Sequence, residues 1–258
     1  MGNWAALYEE LAALSKAGTA LTSSQRFFIN FYQSFLLNDR YLQYLTGIGR
    51  TLRTTVIALV IGVILGVVVA MVRTAYMQQR PGHKNPVLGV VNAFCQVYVT
   101  VIRGTPMMVQ LLIMGMVIFS SSRNFTLVGA LTLGINSGAY VSEIIRGGLL
   151  SVDIGQMEAG RSLGLNYLDT MRFIIVPQAI KAILPSLGNE FIILLKDTSL
   201  ITVIGGKELV YAAQAIYAKT YYPMMPLIAI ALIYLLMVML FTWLLGKLER
   251  RMRASDRR

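Results

Sequence analysis

The segment from Thr51 to Val72 limits this chain more than any other. It is apolar apart from Arg53 near one end and a few small or hydroxyl residues, and it is long enough to cross a bilayer as one helix. Such a helix needs about 20 largely apolar residues to traverse ~30 Å of hydrocarbon. A basic side chain near its end can snorkel to the headgroups. Composition agrees: 56% of the 258 residues are hydrophobic, only 14% are charged, and the mean hydropathy is +0.63. A soluble domain carries roughly 25% charged residues. The bilayer is therefore the expected solvent for most of the chain.

Further apolar runs extend the pattern to an all-α integral membrane fold with five transmembrane helices. Residues 86–119 are too long for one straight span and are interrupted at Arg103-Gly104-Thr105-Pro106, which predicts a broken helix continuing into a re-entrant or interfacial piece. The third span is expected over Phe125–Ile145, the fourth over roughly Ala182–Ile204, and the fifth from about Pro223 to Leu245. Gly62 with Gly66, and Gly134 with Gly138, present small faces for close helix contact. Residues 1–49 do not span. Trp4, Leu7, Leu11 and Leu14 repeat at helical spacing, and the aromatic stretch Phe27–Leu37 is short, so both suit helices lying in the interface. The expected organisation is an N-terminal segment over 1–49, a transmembrane domain over 50–246 and a basic tail over 247–258.

Orientation follows from Lys and Arg in the loops. One side holds Arg73, Arg80, Lys84, Arg146, Arg161, Arg172 and Lys181, together with Lys247, Arg250, Arg251, Arg253, Arg257 and Arg258. The other holds Lys16, Arg26, Arg40, Arg50, Arg123, Lys207 and Lys219. The richer side is read as cytoplasmic, which places the N-terminus outside and the tail inside. In a soluble protein the net charge of +11 would point to nucleic acid. Here the basic tail directly follows an apolar run and lacks interleaved aromatics, so it reads as a topology anchor and no nucleic acid is expected. The single cysteine, Cys95, excludes an intramolecular disulfide. One His (His83) and one Cys offer little for a metal site or a catalytic constellation, so neither a metal nor an intramembrane enzyme is expected. The absence of a basic n-region, with Glu9 and Glu10 early, argues against a cleavable signal peptide.

Between the third and fourth spans the chain turns polar and helix-forming, over Arg146–Lys181. Asp153 followed by Gln156 has the form of a helix start. Gly164 supplies a stop, Asn166 a second cap with Asp169 in the first turn, and Pro177 closes the unit. Two short helices meeting at a glycine, between two spans, suit docking to a partner.

These residues carry a resemblance. Glu158-Ala159-Gly160, then Gly164, then Ile174-Ile175-Val176-Pro177 resembles the EAA loop of bacterial ABC importer permeases, with Gly160 and Val176 as mild departures. The wider chain, over about residues 45–246, is similar to the polar amino acid branch of that family. The similarity lies in Arg103-Gly104-Thr105-Pro106, Val109-Gln110-Leu111, Asn136–Tyr140, Ser142-Glu143-Ile144, Arg146-Gly147-Gly148, Gly155-Gln156, Pro177-Gln178-Ala179 and Lys196–Leu200.

The resemblance implies an importer permease working by alternating access in a bacterial inner membrane. It implies that Glu158, Ala159, Gly160, Gly164 and Pro177 belong to coupling helices seated on an ATP-hydrolysing subunit, present in two copies. A second permease subunit, identical or not, and an extracytoplasmic amino acid binding protein complete the set. ATP and Mg would be bound by the partner ATPase, with no cofactor in this chain. In agreement, no phosphate-binding loop is present: Gly205-Gly206-Lys207 lacks the spacing.

Charges inside the expected spans are the candidates for substrate contact, because an unpaired intramembrane charge costs several kcal/mol. Glu190 and Asp197 are two helical turns apart and share a face, with Lys196 on a neighbouring edge. A Lys196–Asp197 pair or a position at the helix end is the alternative. An amino acid brings an ammonium and a carboxylate, so an acid and a base in one cavity would match both. Arg103 and Thr105, at the helix break, join the candidates as gate or hinge. Two acids against one base would favour a cationic amino acid. If Lys196 neutralises Asp197, Glu190 alone would serve any polar one. The competing reading is a secondary transporter driven by an ion gradient, for which paired inverted repeats would be expected and none is seen.

Overall fold

The computed structural model describes residues 2–79, 83 and 85–255. Part of the loop reading (Arg80, Pro81, Gly82, Lys84) and the end of the tail (from residue 256) lie outside the described residues. Among the described residues every regular element is helical. Helices α1 (Gly2–Lys16) and α2 (Ser23–Phe31) form a hairpin. Thr22 opens α2 with a capping box: its hydroxyl accepts from the Gln25 N–H at 3.3 Å, and Gln25 Oε1 accepts from the Thr22 N–H at 2.9 Å. A π-turn over Tyr32–Leu36 and a 3₁₀ turn over Leu37–Asp39 lead into α3 (Tyr41–Met77). The first span is thus the inner part of a helix that begins ten residues before Thr51.

After the loop, Asn85 caps α4 (Pro86–Gly104), its Oδ1 accepting from the Val87 N–H at 2.9 Å with proline at the helix start. The chain leaves the helix at Thr105 and Pro106, and α5 (Met107–Leu112) widens into a π-turn over Ile113–Ile118. The expected break therefore exists. Helix α6 (Phe125–Leu150) follows, then α7 (Ile154–Ser162), α8 (Tyr167–Thr170), a π-turn over Met171–Ile175, and α9 (Val176–Asp197). A 3₁₀ segment over Thr198–Ile204, α10 (Leu209–Thr220) and α11 (Met224–Ser255) complete the fold.

Among the described residues four helices are long and apolar enough to cross a membrane by length and composition: α3, α4, α6 and α11. Helix α9, expected as part of the fourth span, has 22 residues but carries Lys181, Glu190, Lys196 and Asp197 and is not among them. Its neighbours α3, α6 and α11 are all spanning candidates, so it packs inside the bundle rather than standing apart.

The centre of the fold is the α3–α6 seam. The small faces read from sequence meet each other there. A Cβ on Gly66 would fall 2.5 Å from Val141 Cγ1, one on Gly134 would fall 2.7 Å from Ile61 Cβ, and one on Gly62 would fall 2.7 Å from Ser137 Oγ. Helix association in lipid gains little from burying apolar surface, since tails are equally apolar, and depends on such close approach.

One expectation is corrected. Pro177 does not close the polar segment; the chain continues from α8 through the π-turn into α9 with Pro177 in its first turn. Proline breaks a helix interior because it has no N–H and its ring crowds the preceding turn. The π-turn directly before it is wider, and first-turn N–H groups have little intrahelical work to lose.

Candidate functional site

Two regions carry the candidate residues: the polar segment between α6 and α9, and the polar side chains among the spanning helices.

In the first, Asp153 caps α7, Oδ1 accepting from the Gly155 N–H at 2.6 Å. Gln156 does not complete a capping box; its Oε1 accepts from Gln178 Nε2 at 3.2 Å. Helix α7 ends as the sequence predicts. Gly164 has φ +80°, its N–H reaches Arg161 O at 3.0 Å, and the Leu165 N–H reaches Gly160 O at 3.1 Å, the paired bonds of a Schellman motif. Asn166 Oδ1 then caps α8 by accepting from the Asp169 N–H at 2.9 Å.

Gly160, a departure from the EAA pattern, is buried, and a Cβ there would lie 2.6 Å from Thr170 Cγ2. Its missing side chain lets α7 rest on α8. Glu158 and Ala159 face outward. Around them Ile154, Leu163, Leu168 and Phe173 are exposed by 78%, 79%, 74% and 63%. Apolar side chains that bare, set among charged ones on a rigid pair of helices, are the mark of a docking surface. The Tyr167 hydroxyl donates to Gln78 Oε1, tying α8 to the end of α3.

In the second region Glu190 is buried and accepts from the Ser137 hydroxyl at 2.7 Å. Asp197 is half-buried at the end of α9. Lys196 points elsewhere: it lines a groove with Ser199, Val210, Leu227, Ile230 and Tyr234. Among the described residues no ion pair joins it to Asp197; the ion pairs present are those of Glu143 with Arg73 and with Arg146. Lys196 therefore makes no ion pair with either acid among the described residues.

At the α4–α5 break, Gln110 is buried and its amide donates to Ile102 O at 2.8 Å, Thr105 O at 3.2 Å and Thr105 Oγ1 at 2.8 Å. Carbonyls freed by Gly104 and Pro106 are thereby satisfied, as non-helical backbone at membrane depth requires. Asn136 Nδ2 donates to Gln110 Oε1 at 3.0 Å, and the Arg103 guanidinium lies 5.1 Å from the Tyr140 ring centre. Helix α6 thus presents Asn136 and Tyr140 to the break and Ser137 to Glu190. Reading charges alone missed Gln110, Asn136 and Ser137; as neutral amides and a hydroxyl in apolar runs they were the available signal.

Glu208 was also missed. It is buried, and accepts from Thr51 Oγ1 at 3.3 Å, the Tyr211 N–H at 3.1 Å and the Tyr234 hydroxyl at 2.7 Å, joining α3, α10 and α11.

An all-helical bundle with helices long and apolar enough to cross a membrane, a broken helix stitched by buried amides and a helix pair projecting between α6 and α9 is that of a multi-pass membrane protein with a docking surface. The family of binding-protein-dependent transport system inner membrane components matches residues 87–254, and this chain belongs to it. Relatives include the glutamine transport system permease protein GlnP of Escherichia coli K12, 40% identical over 168 residues, covering 64% of this chain and 77% of that protein. The putative glutamine transport system permease of Rickettsia typhi is 34% identical over 230 residues, covering 88% and 98%. A crystal structure of an amino acid ABC transporter with histidines matches with a TM-score of 0.73 at 40% identity, over 82% of this chain and 94% of that one. The inward-facing methionine transporter MetNI, 17% identical with a TM-score of 0.68, shares the fold. The chain is accordingly a multi-pass inner-membrane permease subunit of a family without an ATPase motif of its own.

Proposed function

We propose that this chain is the permease of an ATP-driven importer for polar amino acids, cationic ones among them. The observation that carries the reading is the helix pair α7–α8: a rigid, capped unit that joins two long helices and bares Ile154, Leu163 and Leu168 beside Glu158. Family membership favours the ATP-driven reading over an ion-gradient one. ATP and Mg act in a partner ATPase, two copies of which receive the coupling helices of two permeases. A binding protein delivers substrate from outside. The basic tail lies in the cytoplasm and the N-terminus outside.

The substrate class rests on relatives named for glutamine and on a related transporter solved with histidines. Glu190, Asp197 and Lys196 remain the candidate substrate contacts. A second permease subunit would complete the cavity around these charges. Arg103 and Thr105 sit where a gate or hinge would act.

The test is uptake into proteoliposomes holding this permease, its ATPase and its binding protein, with labelled glutamine, arginine and histidine compared. ATP-dependent uptake of at least one is expected. Uptake that persists without the ATPase and follows an imposed ion gradient would transfer the protein to the competing class.

A further inference from the structure

The α1–α2 hairpin lies outside the residues matched by the family, and the transport reading gives it no task. Its two helices close on each other through Tyr8 stacked on Tyr32, ring centres 4.6 Å apart, Trp4 against Phe28 at 5.6 Å, and a hydrogen bond from Gln33 Nε2 to the Tyr8 hydroxyl at 3.1 Å. Leu11 and Ile29 are buried. That packing still leaves apolar surface bare: Trp4, half exposed beside Phe28, with Leu7 and Leu14 on α1 and Phe27 on α2, exposed by 52%, 44%, 37% and 58%.

The hairpin is held to the bundle. Asn38 and Asp39 take positive φ and turn the chain sharply before α3. The buried Arg40 donates to the Gln33 carbonyl across this elbow. Phe35 packs on the Tyr44 ring at 5.6 Å, and Tyr44 belongs to a core shared with Ile230 and Met237 of α11. The elbow therefore sits level with the apolar part of a membrane-crossing helix.

From the elbow an exposed face carrying many apolar side chains runs down α3. Leu42, Leu45, Val56, Val60, Ile64 and Met71 are all exposed and fall on one face by their spacing, with Thr46 and Arg53 exposed on the same face between Leu45 and Val56. Its apolar side chains start in the first turn of α3, where the hairpin joins the bundle.

We propose that the α1–α2 hairpin is an interfacial membrane anchor that lies along the headgroup–acyl boundary, with Trp4, Leu7, Leu14 and Phe27 in the lipid. Trp is favoured at that depth because its ring is apolar and its N–H still reaches water or headgroups. Glu9, Glu10 and Lys16, all exposed, remain in water. The inference rests on the membrane reading alone and stands whatever the substrate proves to be.

The chain has two tryptophans, Trp4 and Trp243, so Trp243→Phe leaves Trp4 as the only one. The experiment reads Trp4 emission from this variant, as the full-length chain in phosphatidylcholine nanodiscs, with lipids brominated near the headgroup end or near the chain end. Iodide serves as the aqueous quencher. Shallow-brominated lipid is expected to reduce emission by about half or more, chain-end bromine less, and iodide little. Strong iodide quenching with no effect of bromine would overturn the proposal, placing the hairpin in water. Protection from both quenchers would overturn it equally, placing Trp4 against protein.

Discussion

The Ser137 hydroxyl donates to Glu190 Oε1 at 2.7 Å across the contact of α6 with α9. It fixes the position of a buried carboxylate that has no basic partner within ion-pair distance among the described residues. Removing one partner of a buried hydrogen bond leaves the other unsatisfied at about 1–3 kcal/mol. Ser137→Ala is accordingly expected to lower the thermal midpoint in detergent. An unchanged midpoint in Ser137→Ala would show that the hydroxyl does not hold the carboxylate.

Glu190 is also the candidate contact for a substrate cation. Glu190→Gln keeps the shape and can keep a hydrogen bond with Ser137 while removing the charge. Uptake of a cationic amino acid is expected to fall by about tenfold, equivalent to ~1.4 kcal/mol, with neutral substrates affected less. Equal loss for both would assign Glu190 to the α-ammonium instead. Unchanged uptake of both removes it from the site.

The α3–α6 seam gives a packing prediction with an internal control. A side chain on Gly134 meets Ile61 Cβ at 2.7 Å and the Ala58 carbonyl at 3.0 Å, so Gly134→Leu has to part the helices. Overpacking of this kind costs typically 1–3 kcal/mol. Gly49, in the same helix as Ile61, has nothing within 4 Å, and Gly49→Leu is expected to leave stability nearly unchanged. The check is the detergent melting midpoint of the two variants side by side.

The seam was legible in the sequence because its signal is local: glycines four apart in apolar runs. The caps at Asp153 and Asn166 and the stop at Gly164 were legible for the same reason, since each motif closes within a few residues. What was not legible depends on distant pairing. Gln110 looks like one polar residue in an apolar stretch until the break brings Ile102 and Thr105 O to its amide and α6 brings Asn136 to its carbonyl. Glu208 gives no hint that Thr51, far away in sequence, will be its partner. Pro177 was misread because a proline inside a helical run normally ends it, and the π-turn that admits it leaves no mark in the composition.

Orientation yields a direct prediction. On the proposed orientation, read from Lys and Arg in the loops, Asn3 would lie outside and Ser255 in the cytoplasm. In a Cys95→Ser background, Asn3→Cys and Ser255→Cys are expected to react with a membrane-impermeant maleimide from opposite sides of intact cells or inverted vesicles. Labelling from the same side would require an even number of crossings, as α3, α4, α6 and α11 alone would give, and would remove α9 from the expected spans.

The last prediction concerns coupling. Gly164 has φ +80° and open space around it, so a substitution there meets no clash but does meet backbone strain. An L residue in the left-handed region costs roughly 1–2 kcal/mol, and Asn tolerates it better than most. A bulky residue is therefore expected to re-route the turn between α7 and α8 and shift Leu163 relative to Leu168, the two most exposed apolar side chains flanking it. The bundle has no contact with that side chain and should insert and melt normally. With the ATPase and binding protein reconstituted, Gly164→Trp is expected to lose most substrate-stimulated ATP hydrolysis, and Gly164→Asn to retain it. Glu158→Lys, which reverses an outward charge on α7 without touching the turn, tests the same surface independently. Normal stimulated hydrolysis in Gly164→Trp would mean that the α7–α8 turn does not meet the ATPase.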